Sequence, residues 1–542
     1  MVVVDMITAP FTVRLADGQS DPPPPSRISP THLTYPPQNN TPGLLTATPL
    51  APPCSLEEGV AAAIESRVAL ALGSEYYEAL SDSLVLANVS MSGVLAALEQ
   101  ALPLRFKLGV LDPAEGQPYL SIGLEAVASL ESKQINMLAS REGLVLLENP
   151  GGILPFSFPS NAVNQGGAGA GSSTLLVGFH GNSVSSLLGN YYNSSALCPD
   201  STLNCFSTLE QTLRARDSAL QFSPGCLNAS ACPETLVQEA LARVSSASRI
   251  ILTVGLDQTE EREQHDRHSL GLPPQQVSLV AALLSAAKAH AIPVAAVLIH
   301  GGPLALDDSL LDPLLPPVAL LDAFYPGPFG ADAIAAALAG DFSPGGKLPY
   351  TVFPSAYVQA VAFTDHAVAS LGRTYRYHNA STSPGGAPLW EFGHGRSYAD
   401  FLLAFAVSPP PPQPIRVEAA NFLSLALPLV SVTNMHSGTY RGGVADEVVQ
   451  AYLVPHSESI RSACASTPLP FIPLKQVVAF QRVTCAPGEA VRVGLNITRD
   501  AMELTDAAGG RDVRVGSYTV IITRGNPMGA EFDDLKLKLL VV

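Results

Sequence analysis

Between residues 130 and 400 the chain alternates two kinds of segment, and this alternation constrains the fold more than any other feature. Short apolar runs occupy 175–179, 249–254, 294–299 and 318–322. Segments with helical periodicity stand between or beside them, at 133–147, at 234–244, after Pro273-Pro274, and at 331–338. In the third of these, Val277, Val280, Leu284 and Ala287 share one face. A strand without polar alternation must be buried on both sides, which requires a mainly parallel sheet covered by helices. The expected fold class is therefore α/β.

Ligand sites of such sheets lie in loops beyond the carboxyl ends of the strands. The run 249–254 is followed by Gly255-Leu-Asp-Gln-Thr-Glu-Glu-Arg-Glu-Gln-His-Asp-Arg267, which crowds Glu260, Glu261 and Glu263 into one loop. Packed like charges raise one another's pKa, an arrangement suited to a general acid, although charge alone fits a solvated acidic loop as well.

The flanks differ. Residues 1–53 are rich in Pro, Ser and Thr, with a proline run at 22–25, and read as a disordered segment. Residues 54–129 are helical in pattern, with Val94, Leu98 and Leu102 on one face. The alternating region is bounded at 130–405, and a second proline run at 409–412 precedes a last domain, 415–542. Its runs 427–432, 448–453, 476–480, 490–495 and 518–523 are short, β-rich and separated by turn signals, as in an antiparallel sandwich packed against the domain before it.

A net charge of −17 argues against nucleic acid and anionic membranes as partners, and no apolar run reaches the ~20 residues of a membrane helix. Six Asn-x-Ser/Thr sequons, at Asn39, Asn88, Asn193, Asn228, Asn379 and Asn496, point to the secretory pathway or the extracellular space, although 1–15 makes a poor signal peptide. The cysteines agree. Cys198 with Cys205, Cys226 with Cys232 and Cys464 with Cys485 form close pairs, expected as disulfides, and Cys54 is left over. No histidine or second Cys-x-x-Cys accompanies them, so no metal is expected.

Several motifs carry a family resemblance. Leu138-Ala-Ser-Arg-Glu-Gly-Leu-Val-Leu-Leu-Glu148-Asn149 with Ile153-Leu-Pro-Phe156, and Leu188-Gly-Asn-Tyr-Tyr192, resemble the second domain of glycoside hydrolase family 3. So do His300-Gly-Gly-Pro303, Tyr325-Pro-Gly327, Gly340-Asp-Phe-Ser-Pro-Gly-Gly-Lys-Leu-Pro349, Gly372-Arg-Thr-Tyr-Arg-Tyr377 and Phe392-Gly-His-Gly-Arg-Ser-Tyr398. The loop 255–267 is similar to the acid/base loop of the β-xylosidase branch. Val432-Thr-Asn434 and Glu447-Val-Val-Gln-Ala-Tyr452 resemble the family's fibronectin type III-like domain.

The resemblance implies an α/β sandwich followed by that β-sandwich, with 54–129 as the remnant of the end of a (β/α)8 barrel. It also implies a retaining mechanism with two carboxyl groups and an oligosaccharide or glycoside substrate, without a cofactor. The acid/base falls on Glu261, with Glu263 as rival and Glu260 as a solvated neighbour. Asp266-Arg267 is expected to be an ion pair closing the loop. Gly301-Gly302 shape a strand exit or touch the sugar, and His394 is structural.

The family's nucleophile is an aspartate in a Ser-Asp motif on the barrel. Ser81-Asp82 stands where the family has a helical surface stretch, so no nucleophile is expected in this chain, which reads as lacking most of the barrel. The barrel's Lys-His motif is likewise unmatched, and Glu148 stands where lysine is common. The 542-residue chain alone is accordingly expected to hydrolyse an aryl β-xyloside only at background rate. A non-catalytic carbohydrate-binding or scaffold protein is the alternative. A nucleotide-binding fold is disfavoured, because Gly167-Ala-Gly-Ala-Gly171 precedes its strand instead of following it.

Overall fold

The computed structural model describes residues 56–542 apart from 66–67, 71–73, 86–88, 159–172, 193–196, 199, 201, 264, 363–364, 366, 408–412, 437–442, 464–468 and 526–533. The proline-rich segment 1–53, both proline runs, Cys54, Cys464 and the glycines of 167–171 lie outside the described residues. The chain divides into two compact units, up to Leu124 and from Glu125 onward.

The first unit is built from helices Leu56–Glu65, Glu75–Val85 and Met91–Lys107 around a small core of Val60, Ala61, Ile64, Ala79 and Val89. Ser90 caps the third helix, its hydroxyl accepting from Gly93 N at 3.0 Å. Only Val94 of the expected apolar face packs on this core, and Leu98 and Leu102 are exposed.

The second unit begins with helix Leu130–Glu142. The helix expected over 133–147 ends there, and β1 (Val145–Glu148) takes up the remaining apolar run. β2 (Thr174–Val177), β3 (Gln221–Ser223), β4 (Arg249–Gly255), β5 (Val294–Ile299) and β6 (Ala319–Asp322) complete one sheet, in the order β1-β6-β5-β4-β2-β3. All pairings are parallel except β1 with β6.

Successive strand residues alternate between two cores, because side chains leave a strand on opposite faces. Ile250, Leu252, Val254, Val294, Ala296 and Leu298 face helices Glu234–Val244 and Pro274–Ala289. Ile251, Ala295, Val297, Ile299 and Leu321 face helix Gly330–Leu338. Burying each such Leu or Ile contributes about 1.5–3 kcal/mol, and this is what makes the sheet a rigid platform.

Beyond it, strands Gln476–Cys485, Ala445–Pro455, Gly516–Thr523, Leu535–Val541 and Ile415–Val417 form a five-stranded sheet. Strands Ala490–Val493, Val430–Asn434 and Phe401–Phe405 form a three-stranded one, and both contribute to a single core. The two domains of this unit share a buried polar seam. Lys347 Nζ lies 2.8 Å from Glu447 and donates to the Gly395 carbonyl at 2.6 Å, and Arg524 approaches Glu447 at 3.4 Å. Burial pulls the Lys347 ammonium below its ordinary pKa, and Glu447 opposes the shift. Beside this seam Tyr375 stacks on Phe392 at 4.1 Å, and both rings meet Tyr452 edge-on.

Cys198–Cys205 and Cys226–Cys232 are disulfides, with Cα separations of 5.8 and 3.8 Å. Cys485, expected to pair with Cys464, is instead a free buried thiol donating to the Val432 carbonyl at 3.7 Å. No helix among the described residues is long and apolar enough to cross a membrane.

Candidate active site

Three adjacent strands, β4, β5 and β6, release their chains at the same edge of the sheet, and their exits converge on one side chain. Gly255 ends β4 with φ +143°, where an added Cβ would collide with the Ile299 carbonyl, so only glycine lets the chain turn out there. Gln276, buried on helix Pro274–Ala289, holds this exit. It accepts from Gly255 N at 3.0 Å and donates to the Gly255 and Ala229 carbonyls at 2.7 and 2.6 Å. The loop then curls back, with Glu260 N and Glu261 N both donating to the Asp257 carbonyl at 3.0 Å.

The three glutamates part company here. Glu260 accepts from Ser230 on the segment closed by the Cys226–Cys232 disulfide, so it is tied to a neighbouring loop and is not a purely solvated neighbour. Glu263 is exposed. Glu261 turns inward over the exits of β5 and β6. Its Oε1 accepts from Gly301 N and from Tyr325 Oη, the latter at 2.9 Å, and its Oε2 accepts from Gly302 N at 3.2 Å. Arg267 Nε stands 3.4 Å from Oε2 and the guanidinium also donates to the Pro303 carbonyl at 2.9 Å. The crowding expected from the sequence is therefore not what surrounds Glu261: its near partners are all donors. The ion pair expected between Asp266 and Arg267 is replaced by one between Arg267 and Glu261, because Asp266 is exposed and Arg267 points back into the loop.

The two glycines after β5 are needed for space. Neither has positive φ. A Cβ on Gly301 would lie 2.9 Å from the Tyr325 ring and 3.0 Å from Glu261 Oε1, and one on Gly302 would lie 2.8 Å from Arg267. Their role is to let a carboxylate and a ring settle directly on the backbone. Burial, with the Glu261 charge beside it, pushes the Tyr325 phenol well above its ordinary pKa, so this hydroxyl keeps its proton and donates.

Beneath the turn lies a polar pair that the sequence did not reveal. His300 directly follows β5 and Asp322 ends β6, both buried, with Nε2 and Oδ1 3.1 Å apart. The only advance signal was two ionisable residues closing neighbouring apolar runs. Tyr325 stands in the Tyr325-Pro-Gly327 motif, which gives its hydroxyl no role, and no sequence signal marks Gln276 as a buried anchor. His180, after β2, is fully buried with neither ring nitrogen hydrogen-bonded.

The sheet's order reverses between β2 and β4, the place where open α/β sheets bind ligands. A cleft of about 510 Å³ opens there, lined among others by Asn182, Ser183, Tyr192, Asp257 and Gln258. Gln258 Nε2 donates to the Gly189 carbonyl at 3.2 Å, tying the Glu261 loop to the segment that carries Tyr192. Glu261 follows the lining residue Thr259 by two positions in the same loop, with 16% of its side chain exposed.

Other expected residues fall elsewhere. Ser81 and Asp82 are exposed on helix Glu75–Val85. His394 is buried, its Nε2 2.9 Å from the Leu147 carbonyl. Glu148 accepts from Trp390 Nε1 at 3.1 Å and pairs with Arg396 at 3.3 Å, a use for a carboxylate where lysine is the common residue. No group of His, Cys, Asp and Glu among the described residues is arranged to hold a metal ion.

Residues 144–398 match the glycosyl hydrolase family 3 C-terminal domain, and residues 447–525 match a fibronectin type III-like domain. Probable beta-D-xylosidase 7 of Arabidopsis thaliana is 32% identical over 65% of this chain and 42% of its own length. Probable exo-1,4-beta-xylosidase bxlB of Aspergillus terreus is 28% identical over 84% of this chain and 54% of its own. The chain thus spans about half the length of the curated relatives it matches. Among solved structures, a GH3 exo-beta-xylosidase (XlnD) superposes with TM-score 0.69 over 90% of this chain and 58% of its own, at 22% identity. A beta-glucosidase from Listeria innocua superposes with TM-score 0.64 over 90% of this chain and 61% of its own, at 20% identity.

Proposed function

Since this chain carries the C-terminal domain of glycosyl hydrolase family 3 followed by a fibronectin type III-like domain, we propose that it supplies the acid/base carboxyl of an exo-acting, retaining β-xylosidase, and that this carboxyl is Glu261. One observation carries the reading. Of the three glutamates in the loop, only Glu261 is gripped by donors from the exits of both β5 and β6. A group that must meet a glycosidic oxygen within a few tenths of an ångström needs such support.

The cycle has two halves. In the first, a nucleophilic carboxylate attacks the anomeric carbon, the bond to the leaving oxygen breaks, and Glu261 gives its proton to that oxygen. In the second, water attacks the glycosyl–enzyme ester, Glu261 takes the water's proton, and the nucleophile is released. The present arrangement suits the second half, because every near partner of Glu261 donates to it. In the first half one oxygen must carry a proton towards substrate. Tyr325 is the partner that can yield, since a phenol hydroxyl can turn and accept where an N–H cannot.

The nucleophile comes, on this reading, from a family barrel, and activity assays therefore include a form with such a barrel fused ahead of the chain. In that enzyme Glu261→Gln should lower kcat/KM by ~10²-fold or more on xylosides with poor leaving groups. The loss should be much smaller on an activated aryl leaving group, which departs without a proton. Glu263→Gln should behave as the parent on both. The reverse pattern would move the assignment to Glu263. Sugar binding without turnover in the fused enzyme would favour a non-catalytic carbohydrate-binding role.

A further inference from the structure

His300 is fully buried, and both of its ring nitrogens face acceptors. Nε2 stands 3.1 Å from Asp322 Oδ1, an ion-pair contact without hydrogen-bond alignment, and Nδ1 hydrogen-bonds the Gly302 carbonyl at 2.7 Å. A neutral imidazole carries one N–H and one lone pair, so it would turn the lone pair on one of these oxygens, whereas an imidazolium presents an N–H to the Gly302 carbonyl and positive charge to the Asp322 carboxylate. Asp322 Oδ1 also accepts from Phe324 N at 3.1 Å, and His300 N donates to the Phe324 carbonyl at 3.2 Å. The pair therefore clamps the exits of β5 and β6 to each other. The residues clamped are those whose N–H and O–H groups hold Glu261.

We propose that His300 and Asp322 are positioning residues, and that the imidazolium bridging Asp322 to the Gly302 carbonyl locks the 301–302 turn whose two N–H groups grip Glu261. The catalytic consequence rests on Glu261 being the acid/base; the grip on the loop does not.

The charges facing His300 fit this role. Asp322 approaches from β6 and Glu261 from the loop after β4, and both favour the cation. His180, from the turn after β2, is close enough for His300 to suppress its protonation. Phe324 presents its ring at 5.6 Å. Arg267 and Tyr350 face Glu261 and Tyr350 also faces Asp322, so they act on His300 at second hand. Burial opposes the His300 cation, yet the two carboxylates and the Gly302 carbonyl leave its pKa raised above the ordinary 6.5. On deprotonation Nδ1 is the nitrogen that loses its proton, because Nε2 faces the carboxylate. A lone pair would then confront the Gly302 carbonyl, and the turn would loosen.

The test uses the whole 542-residue chain. With ¹⁵N-histidine labelling, two-bond ¹H–¹⁵N spectra should show His300 protonated on both nitrogens at pH 7, and Asp322→Asn should convert it to a single neutral tautomer. With ¹³Cδ-glutamate labelling, the Glu261 resonance should move in His300→Gln while that of Glu447 stays in place. In the unsubstituted chain, the Gly301 and Gly302 amides should lose exchange protection over the same pH interval in which the His300 ring deprotonates. This titration decides the matter even if either variant fails to fold. A neutral His300 at pH 7 would overturn the proposal. So would a protonated His300 whose titration leaves the two amides unmoved, since the pair would then be structural only. None of these readings depends on turnover, so they stand or fall separately from the leaving-group assay on Glu261→Gln.

Discussion

Glu447→Gln is expected to destabilise the unit from Glu125 onward by about 3–5 kcal/mol, the usual cost of breaking a buried ion pair from one side. The Glu447 side chain is 2% exposed and that of Lys347 8%, so water cannot replace the lost partner. Glutamine keeps the volume and one acceptor but removes the charge that lies 2.8 Å from Lys347 and 3.4 Å from Arg524. Two cations then share a dry seam between the α/β and fibronectin type III-like domains. Lys347→Met with Glu447→Gln should cost less than the sum of the single changes, because the double variant removes both members of the 2.8 Å pair together. Urea unfolding followed by Trp390, the chain's only tryptophan, provides the measurement. A Glu447→Gln midpoint equal to the parent's would mean that the seam is not a stabilising contact.

His180 should make the protein acid-labile. Burial, aided by His300, holds its folded pKa down at about 3, against an ordinary value of 6.5. Between those values the unfolded chain takes up a proton that the folded chain refuses, so stability falls as pH falls from 6.5 and levels off below about 3. At about 1.4 kcal/mol per unit, the full effect is about 5 kcal/mol, and about 3 kcal/mol of it has appeared by pH 4.5. His180→Met keeps an apolar filler beside Phe179 and removes the titration. Between pH 7 and 4.5 it should lose about 3 kcal/mol less stability than the parent. Equal losses would show that the imidazole finds a proton partner on folding. His300 works in the opposite sense: its raised folded pKa contributes stability in full below 6.5, which is lost as pH rises through the folded value. It is common to both proteins and cancels in the comparison.

What the sequence showed and what it hid follow from the range of the forces involved. β4 and β5 were legible because strands buried on both faces need unbroken apolar runs, and 249–254 and 294–299 are such runs. Helix Glu234–Val244 was equally plain from its periodicity. The run 133–147 misled, because Val145, Leu146 and Leu147 continue an apolar pattern that fits a helix as well as a strand. Their antiparallel pairing with β6, far along the chain, decides the matter. Glu261 was reachable through the family's loop motif. Its environment was not, because proximity in sequence suggested repulsion among Glu260, Glu261 and Glu263. The fold instead sends Glu260 to Ser230 and Glu261 to Gly301, Gly302, Tyr325 and Arg267. Every one of these partners except Arg267 is at least 30 residues distant, so local pattern could not pair them.

The central claim is that Glu261 performs the proton transfers of a retaining glycosidase, and azide tests it most directly. In the barrel-fused enzyme, Glu261→Ala should still form the glycosyl–enzyme ester from an activated aryl β-xyloside but should lack the base that activates water. Azide needs no base, so added azide should restore turnover and yield the β-xylosyl azide, with configuration retained. The parent enzyme should give xylose alone. Xylose as the only product of Glu261→Ala at undiminished rate, or the azide adduct arising from Glu263→Ala instead, would contradict the account.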